Sequence, residues 1–379
     1  SIVMQHGEGW RARLAAHAIW LFLAVQALLL LHRLDRLPVW GDEFYTLSIA
    51  SRPATGVVAA IAEEKNNPPL HTLLLHFLLK LPWPWGRETA ARALSALVAL
   101  IATLVLYRLW VRKLDREARL WWLALWALSP CLLLYARMAR SYSLQILLFA
   151  LALHAATRWL NRLESLRRMA AFALCSAVLL YTHYLPGLAL IIVVFGSAAL
   201  SILAIRKTAA LLSVVLALPA ILLLYLPWMP HLWVALGRLA NAAGRSASGG
   251  FLASAGLGIG YWGFSFAFGE TQPLWAMAVA LVLAPALVYL TWKGLPACGP
   301  WTAPVVAVAA LAFLVAARWV SFVFVPGRLV FLLPFWLMAL AAGAARKPHV
   351  GRLALAMMLG LGLVAMAGYF RQRDFLNKA

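Results

Sequence analysis

Long apolar runs alternate with short basic intervals along the chain. Runs such as "LLSVVLALPAILLLYLPW" have the length of roughly 18 residues that a helix needs to cross a bilayer. We expect eleven such spans, at about 14–31, 89–109, 120–134, 143–160, 170–181, 188–205, 209–228, 275–292, 303–317, 329–345 and 353–369. The pattern therefore predicts an all-α, polytopic membrane protein, with 1–379 as a single transmembrane domain and no soluble C-terminal domain.

Two intervals depart from this pattern. Residues 32–88 form the longest polar interval, and its apolar part, "LHTLLLHFLLKL", is too short to cross a bilayer. We expect 32–88 to be the first outer loop, with juxtamembrane helices lying along the membrane surface. The Gly-rich stretch 251–270, interrupted by Tyr261 and Trp262, either crosses or dips into the membrane. We interpret it as re-entrant or interfacial.

Composition supports a membrane protein rather than a soluble enzyme. The chain is 64% hydrophobic and 12% charged, whereas soluble domains are about a quarter charged. A net charge of +21 could indicate nucleic-acid binding, but the basic residues cluster between apolar spans. Such loops usually stay in the cytoplasm. With a cytoplasmic N-terminus, the basic loops 108–119, 158–168 and 206–207 all lie inside. We therefore predict an integral protein of a bacterial inner membrane.

With this topology, the unusual polar patches meet at the outer face. They are Asp42–Glu43, "NNPPLH", Arg137–Arg140 with Tyr142, and His183–Tyr184. We therefore predict one site there, facing the periplasm or exterior.

The pair Asp42–Glu43 is notable because the chain has only 12 acidic residues, and these two lie among apolar and aromatic neighbours. Carboxylates in apolar settings need partners, and functional sites are where such groups collect. A carboxylate that reaches an acceptor hydroxyl can act as a general base. The alternative is a pair of solvated loop residues.

Cationic and aromatic residues complete the predicted site. Arg137 and Arg140 are three apart and would share a helix face, either to bind a lipid phosphate or to reach lipid headgroups. Tyr142 adds a hydroxyl nearby. Arg328, in "VPGRLVFLLP", is a possible third cation for the phosphate.

His183 and Tyr184 lie in "YTHYLPG", which interrupts an apolar stretch. They either belong to an interfacial aromatic belt or take part in the site. In the second case His183 would bind phosphate or orient a carboxylate.

Five motifs in order give the chain a resemblance to a known family. They are "WGDEFYTLSIA", "NNPPLHTLLLHFLLKL", "RMARSYSLQILLFAL", "YTHYLPG" and "GRLVFLLP". Together they resemble membrane glycosyltransferases of the C-type fold, in particular the protein O-mannosyltransferase and aminoarabinose-transferase superfamily. The likeness covers about Trp40 to Tyr184, with a weaker match near Arg328.

The resemblance implies a polyprenyl-phosphate-linked sugar as donor and a lipid, glycan or protein as acceptor. It implies that Asp42 is the general base, followed by Glu43 as in the family's Asp-Glu pair. The later outer loops, with Arg137, Arg140, Tyr142, His183, Tyr184 and Arg328, would hold the donor phosphate and its lipid. Tyr45, Asn67 and His71 would line the substrate pocket, although the family usually has aromatics where His71 and Thr72 stand.

Other expectations concern cofactors, partners and rival functions. We expect no nucleotide or redox cofactor, and no dense ligand cluster supports a metal. Many family members carry a soluble outer domain, so acceptor recognition here could need a partner protein. The alternatives are a transporter or flippase for a lipid-linked sugar, which needs no base, and a non-catalytic subunit that retains the fold.

Overall fold

A computed structural model describes residues 2–64, 68–205, 208–234, 237, 251–300, 302–319 and 325–372. Within these ranges every regular element is a helix, and no strand occurs. The helices up to the middle of the chain are α1 Ile2–Leu31, α2 Gly41–Ala50, α3 Ala54–Glu64, α4 Leu70–Leu78, α5 Arg87–Leu109, α6 Arg116–Ala127, α7 Pro130–Ala136, α8 Tyr142–Leu160 and α9 Leu166–Leu180. They are followed by α10 Tyr184–Ile205, α11 Thr208–Tyr225, α12 Phe251–Phe268, α13 Leu274–Gly294, α14 Thr302–Trp319, α15 Leu333–Arg346 and α16 Pro348–Arg371.

The eleven predicted spans fall on helices, although 120–134 is divided between α6 and α7 and 329–345 begins in a 3₁₀ helix. Among the described residues, seven helices are long and apolar enough to cross a membrane, and eight if the bent pair α6–α7 counts as one span. The count of eleven remains a prediction. The bend of 47° between α6 and α7 has a local cause, because Ser129 caps α7 and Pro130 occupies its first turn.

Small residues allow a very close contact between α13 and α15. Gly294 of α13 and Gly343 of α15 face the backbone of the opposite helix. A Cβ added at Gly343 would lie 1.8 Å from the carbonyl oxygen of Leu290, and one at Gly294 would lie 1.6 Å from that of Ala339. Only glycine permits this approach, which is typical of packing between membrane helices.

The interval 32–88, predicted to be the first outer loop, contains the three short helices α2, α3 and α4. At nine residues, α4 is about 14 Å long, less than half the thickness of a bilayer core. Its start is tied to the end of α9, because the Leu70 N–H donates to the carbonyl oxygen of Tyr181 at 3.0 Å. This bond brings the "PPLH" and "YTHY" motifs together.

The stretch interpreted as re-entrant or interfacial forms one continuous helix of 18 residues, α12. The helix runs through Tyr261 and Trp262, the residues at which the sequence pattern was interrupted. Its last turn packs against the break between α6 and α7, where Gly269 has a φ of +79° and lies against Pro130. Residues such as Glu270, which follow α12, are thereby held beside α7.

Candidate functional site

Asp42 lies in the first turn of α2 with its carboxylate open to the surroundings. Its side chain is 54% exposed, and its Oδ2 is 3.6 Å from Nη2 of Arg140. Nη1 of Arg140 donates to the hydroxyl of Thr46 at 3.0 Å and to the Asp42 carbonyl oxygen at 3.4 Å. An exposed ion pair at this distance contributes little to stability. Asp42 is therefore held beside a cation and stays accessible.

Tyr142 and Arg328 lie next to the pair of Asp42 and Arg140. Tyr142, at the start of α8, is buried and bonds with Arg140. The 3₁₀ helix Pro326–Leu332 brings Arg328 close enough to interact electrostatically with Tyr142, Arg140 and Asp42. Gly327 makes this approach possible, because a Cβ there would lie 2.4 Å from the ring of Tyr135. Two guanidinium groups thus lie near one accessible carboxylate.

Two histidines border the cations and remain neutral. Burial, with smaller effects of Arg328 and Arg140, lowers the pKa of His183 to about 3. Burial, with a smaller effect of Arg140, lowers the pKa of His71 to about 3 as well. Nδ1 of His183 accepts the Leu185 N–H at 3.3 Å, so its proton is carried on Nε2. His183 can therefore donate one hydrogen bond without adding a charge.

Glu43 has surroundings opposite to those of Asp42. Its side chain is 0% exposed and pairs with Arg92 through two bonds, Nε to Oε1 at 3.0 Å and Nη2 to Oε2 at 2.7 Å. The same carboxylate accepts the Ala139 N–H at 2.8 Å. Because its oxygens are used in this way, Glu43 positions α2 against α5 and against the turn before Arg140. This geometry fits an orienting role and gives Glu43 no open path to a substrate.

Arg92, which the sequence reasoning missed, also ties the chain before α2 to α5. It donates to the carbonyl oxygens of Leu34 at 2.8 Å, Leu37 at 2.7 Å and Pro38 at 3.2 Å. An arginine inside a predicted span was the available signal, since such charges need partners.

Arg137 is not brought into the group around Asp42. It is buried, and it donates to the Tyr369 hydroxyl and to the carbonyl oxygens of Leu29, Leu30 and Arg33 at the end of α1. These four bonds leave one of its five N–H groups. Its guanidinium also lies over the rings of Tyr369 and Phe370. We therefore assign Arg137 to fastening α1 to α16, and not to the phosphate contact that its spacing to Arg140 led us to expect.

Three further residues were predicted to belong to the site: Tyr45, Asn67 and Tyr184. Tyr45 is exposed on α2, one turn after Asp42. The Tyr184 hydroxyl accepts from the indole N–H of Trp228 at 3.3 Å. Asn67 lies outside the described residues.

A second carboxylate near the site, Glu270, was also missed. It accepts hydrogen bonds from the hydroxyls of Tyr135, Tyr261 (2.9 Å) and Ser265 (3.1 Å). The rings of Tyr135 and Tyr142 pack edge to face with centroids 4.9 Å apart, so one aromatic layer separates Glu270 from the Arg140 group. An acidic residue at the end of an apolar stretch was the signal in the sequence.

The arrangement combines a proton acceptor with anion-binding groups. Asp42 can accept a proton, and Arg140, Arg328 and the Nε2–H of His183 can bind phosphate oxygens. Among the residues that the structure describes, no group of three His, Cys, Asp or Glu side chains could hold a metal ion.

Comparisons with solved structures show the fold. The chain is similar to ArnT from Cupriavidus metallidurans bound to undecaprenyl phosphate, with a TM-score of 0.51 and 15% identity over 95% of this chain and 76% of that one. The apo structure of the same protein gives a TM-score of 0.50 and 14% identity, covering 96% and 76%. No protein-family model matches the sequence, and the comparison with curated proteins finds no match. The all-α, polytopic membrane fold predicted from the sequence is confirmed.

Proposed function

We propose that this chain transfers a sugar from a polyprenyl-phosphate donor to a lipid, glycan or protein acceptor, with Asp42 as general base. The observation that carries the proposal is an accessible carboxylate beside two guanidinium groups, at one end of a membrane helix bundle. The likeness to a structure holding undecaprenyl phosphate supports the donor class.

Asp42 accepts the acceptor's proton. The acceptor oxygen attacks the anomeric carbon of the sugar as the bond from that carbon to the phosphate oxygen breaks. The products are the glycosylated acceptor, polyprenyl phosphate and a protonated Asp42, which then releases its proton to water. General-base help of this kind contributes about 10²–10⁴-fold to a rate.

Arg140 and Arg328 stabilise the leaving phosphate. Charge builds on its oxygens as the glycosidic bond breaks, and preorganised cations lower the energy of that state. The neutral His183 adds a hydrogen bond from Nε2. In this proposal Arg140 also orients Asp42, because it contacts both the carboxylate and the first turn of α2.

The reaction takes place at the outer face of the membrane. The supporting argument is the positive-inside rule, because the basic loops 108–119 and 158–168 lie at the far ends of the helices that begin at the site. In a bacterial inner membrane, the donor would reach Asp42 from the outer leaflet.

Binding of polyprenyl phosphate alone tests the phosphate site without knowledge of the sugar. We expect Arg140→Ala and Arg328→Ala to weaken binding about tenfold or more, because each removes a charge-assisted contact. Arg352→Ala is the matched control, since this exposed arginine pairs with Glu117 at the opposite end of the bundle. Native mass spectrometry of the purified protein in lipid nanodiscs gives the affinity.

Parent protein that does not bind polyprenyl phosphate would contradict the donor class. Equal affinities of the two site variants and the control would contradict the phosphate contacts. A loss confined to Arg140→Ala would remove Arg328 from the site.

A further inference from the structure

A cavity of about 400 Å³ lies at the end of the helix bundle opposite Asp42. The 3₁₀ turn after α5, the last turns of α8 and α15, and the segment after α13 form its walls. Polar lining comes from Lys113, Asp115, Thr157, Thr302 and Arg346, and apolar lining comes from Trp110, Leu153, Cys298 and Ala342 among others.

This cavity is separate from the candidate active site. Along α8, fifteen residues separate Tyr142 from Thr157, a distance of about 22 Å. Helices α5 and α15 likewise begin beside the site, near Arg92 and Arg328, and end at the cavity. A single headgroup cannot occupy both places, so a ligand of the cavity would be a different molecule from the one at the candidate active site.

The charges in the cavity favour an anion. The Oδ1 of Asp115 already accepts the Ala118 N–H at 2.8 Å and caps α6. Lys113 and Arg346 form no ion pair with any carboxylate of the described residues. Two cations and one carboxylate leave a lining charge of +1. The hydroxyls of Thr157 and Thr302 already donate to the carbonyl oxygens of Leu153 and Cys298, so the donors for an anion are the two cations. A phosphate group matches this set.

The position of the cavity favours a lipid as the source of that phosphate. The lining residues belong to the ends of helices long and apolar enough to span a bilayer, which is the depth at which headgroups lie. The basic residues at this end indicate the cytoplasmic leaflet, which carries anionic lipids. The apolar part of the lining, such as Leu153 and Ala342, suits the glycerol and the first methylenes of an acyl chain.

We propose that this cavity binds the phosphate-bearing headgroup of an anionic phospholipid from the cytoplasmic leaflet. Lys113 and Arg346 contact the phosphate from the two sides of the cavity. The bound headgroup links the end of α5, the helix that carries Arg92, to the end of α15, the helix that follows Arg328.

Titration of purified protein with phosphatidylglycerol, followed by native mass spectrometry, tests this proposal. We expect Lys113→Ala and Arg346→Ala each to weaken binding of the first lipid about tenfold or more. Arg112→Ala is the matched control, because Arg112 is an exposed neighbour in the same 3₁₀ turn that does not line the cavity. Lys113 is also exposed, so its replacement leaves the core packing intact.

Two further arms separate the possible sources of phosphate. Phosphatidylcholine and free glycerol 3-phosphate should bind at least tenfold more weakly than phosphatidylglycerol, while both cavity variants keep the parent affinity for polyprenyl phosphate. Equal weakening by Arg112→Ala would mean diffuse attraction to a basic surface and would overturn the proposal. Equal binding of free glycerol 3-phosphate would replace the lipid by a soluble ligand, which also overturns it.

Discussion

At the scale of single residues, Asp42 and Glu43 are neighbours with opposite environments. Consecutive positions on an α-helix point about 100° apart, so one carboxylate faces the open site and the other faces α5. Glu43 is 0% exposed and paired with Arg92, whereas the Asp42 side chain is 54% exposed. Glu43 therefore has a structural role, and Asp42 is the carboxylate that is open to a substrate.

The buried ion pair gives a stability prediction. Replacing Arg92 by Ala leaves the Glu43 carboxylate buried without a counter-charge, and breaking such a pair typically costs about 3–5 kcal/mol. We expect Arg92→Ala to lower the melting temperature in detergent strongly. Arg352→Ala, which removes the exposed pair with Glu117, should change it little. Equal shifts in the two variants would show that the Glu43–Arg92 pair does not hold α2.

His71 gives a pH prediction. Burial lowers its pKa to about 3 in the folded protein, whereas an unfolded chain has the ordinary value near 6.5. Below pH 6.5 only the unfolded chain binds the proton, so stability falls as the pH falls from 6.5 towards 3. At pH 5 this one group costs on the order of 2 kcal/mol.

The check is a comparison of melting temperatures at pH 7.5 and pH 5. Because His71→Gln removes the titrating group, the variant should lose less stability on acidification than the parent does. His349→Gln, at an exposed position on α16, serves as the control and should behave like the parent. A parent and His71→Gln variant with the same loss would contradict a buried neutral His71.

At the scale of helices, the hydropathy of the sequence predicted where helices lie better than where they are interrupted. All eleven apolar segments fall on helices, because an apolar run must satisfy its backbone internally wherever it meets lipid. The bend between α6 and α7 was missed, since Ser129 and Pro130 lie inside an otherwise continuous apolar run. The continuous helix through 251–268 was also missed, because the low helix propensity of glycine is a weak guide that packing can override.

The contact between α13 and α15 gives a prediction for this scale. A methyl group at residue 343 would meet the carbonyl oxygen of Leu290 at 1.8 Å, so Gly343→Ala must push the two helices apart. Overpacking of this kind costs about 1–3 kcal/mol or more. Thermal melting in detergent measures the loss. Gly360→Ala is the control, because a Cβ at Gly360 has nothing within 4 Å. Similar melting of the two variants would contradict this contact.

At the scale of the whole molecule, the described helices connect two ends with different chemistry. The end that carries Asp42, Arg140 and Arg328 holds the candidate site, and the end that carries Lys113 and Arg346 is basic and holds the cavity. The positions of the helices, and the meeting of Asp42, Arg140, His183 and Arg328 at one end of them, could be anticipated from hydropathy and charge. The hydrogen-bond partners of individual side chains could not be anticipated, because they are far apart in the sequence. Arg92 is 49 residues from Glu43, and Tyr135 is 135 residues from Glu270.

The central claim for the molecule is that these helices bring a base and a phosphate site together for sugar transfer. It is independent of the lipid proposed for the opposite end, because the two sites share no lining residue. The role of Asp42 decides this claim, since a transporter or flippase would use the same arginines and would need no base.

The most direct measurement is the rate at which purified protein releases polyprenyl phosphate from sugar-loaded donor, with membrane extract supplying the acceptor. We predict that Asp42→Asn binds polyprenyl phosphate like the parent but loses about 10²–10⁴-fold in rate, because it removes the proton acceptor. Glu43→Gln should lose less, because it changes an orienting residue. An Asp42→Asn protein that turns over at the parent rate would contradict the account.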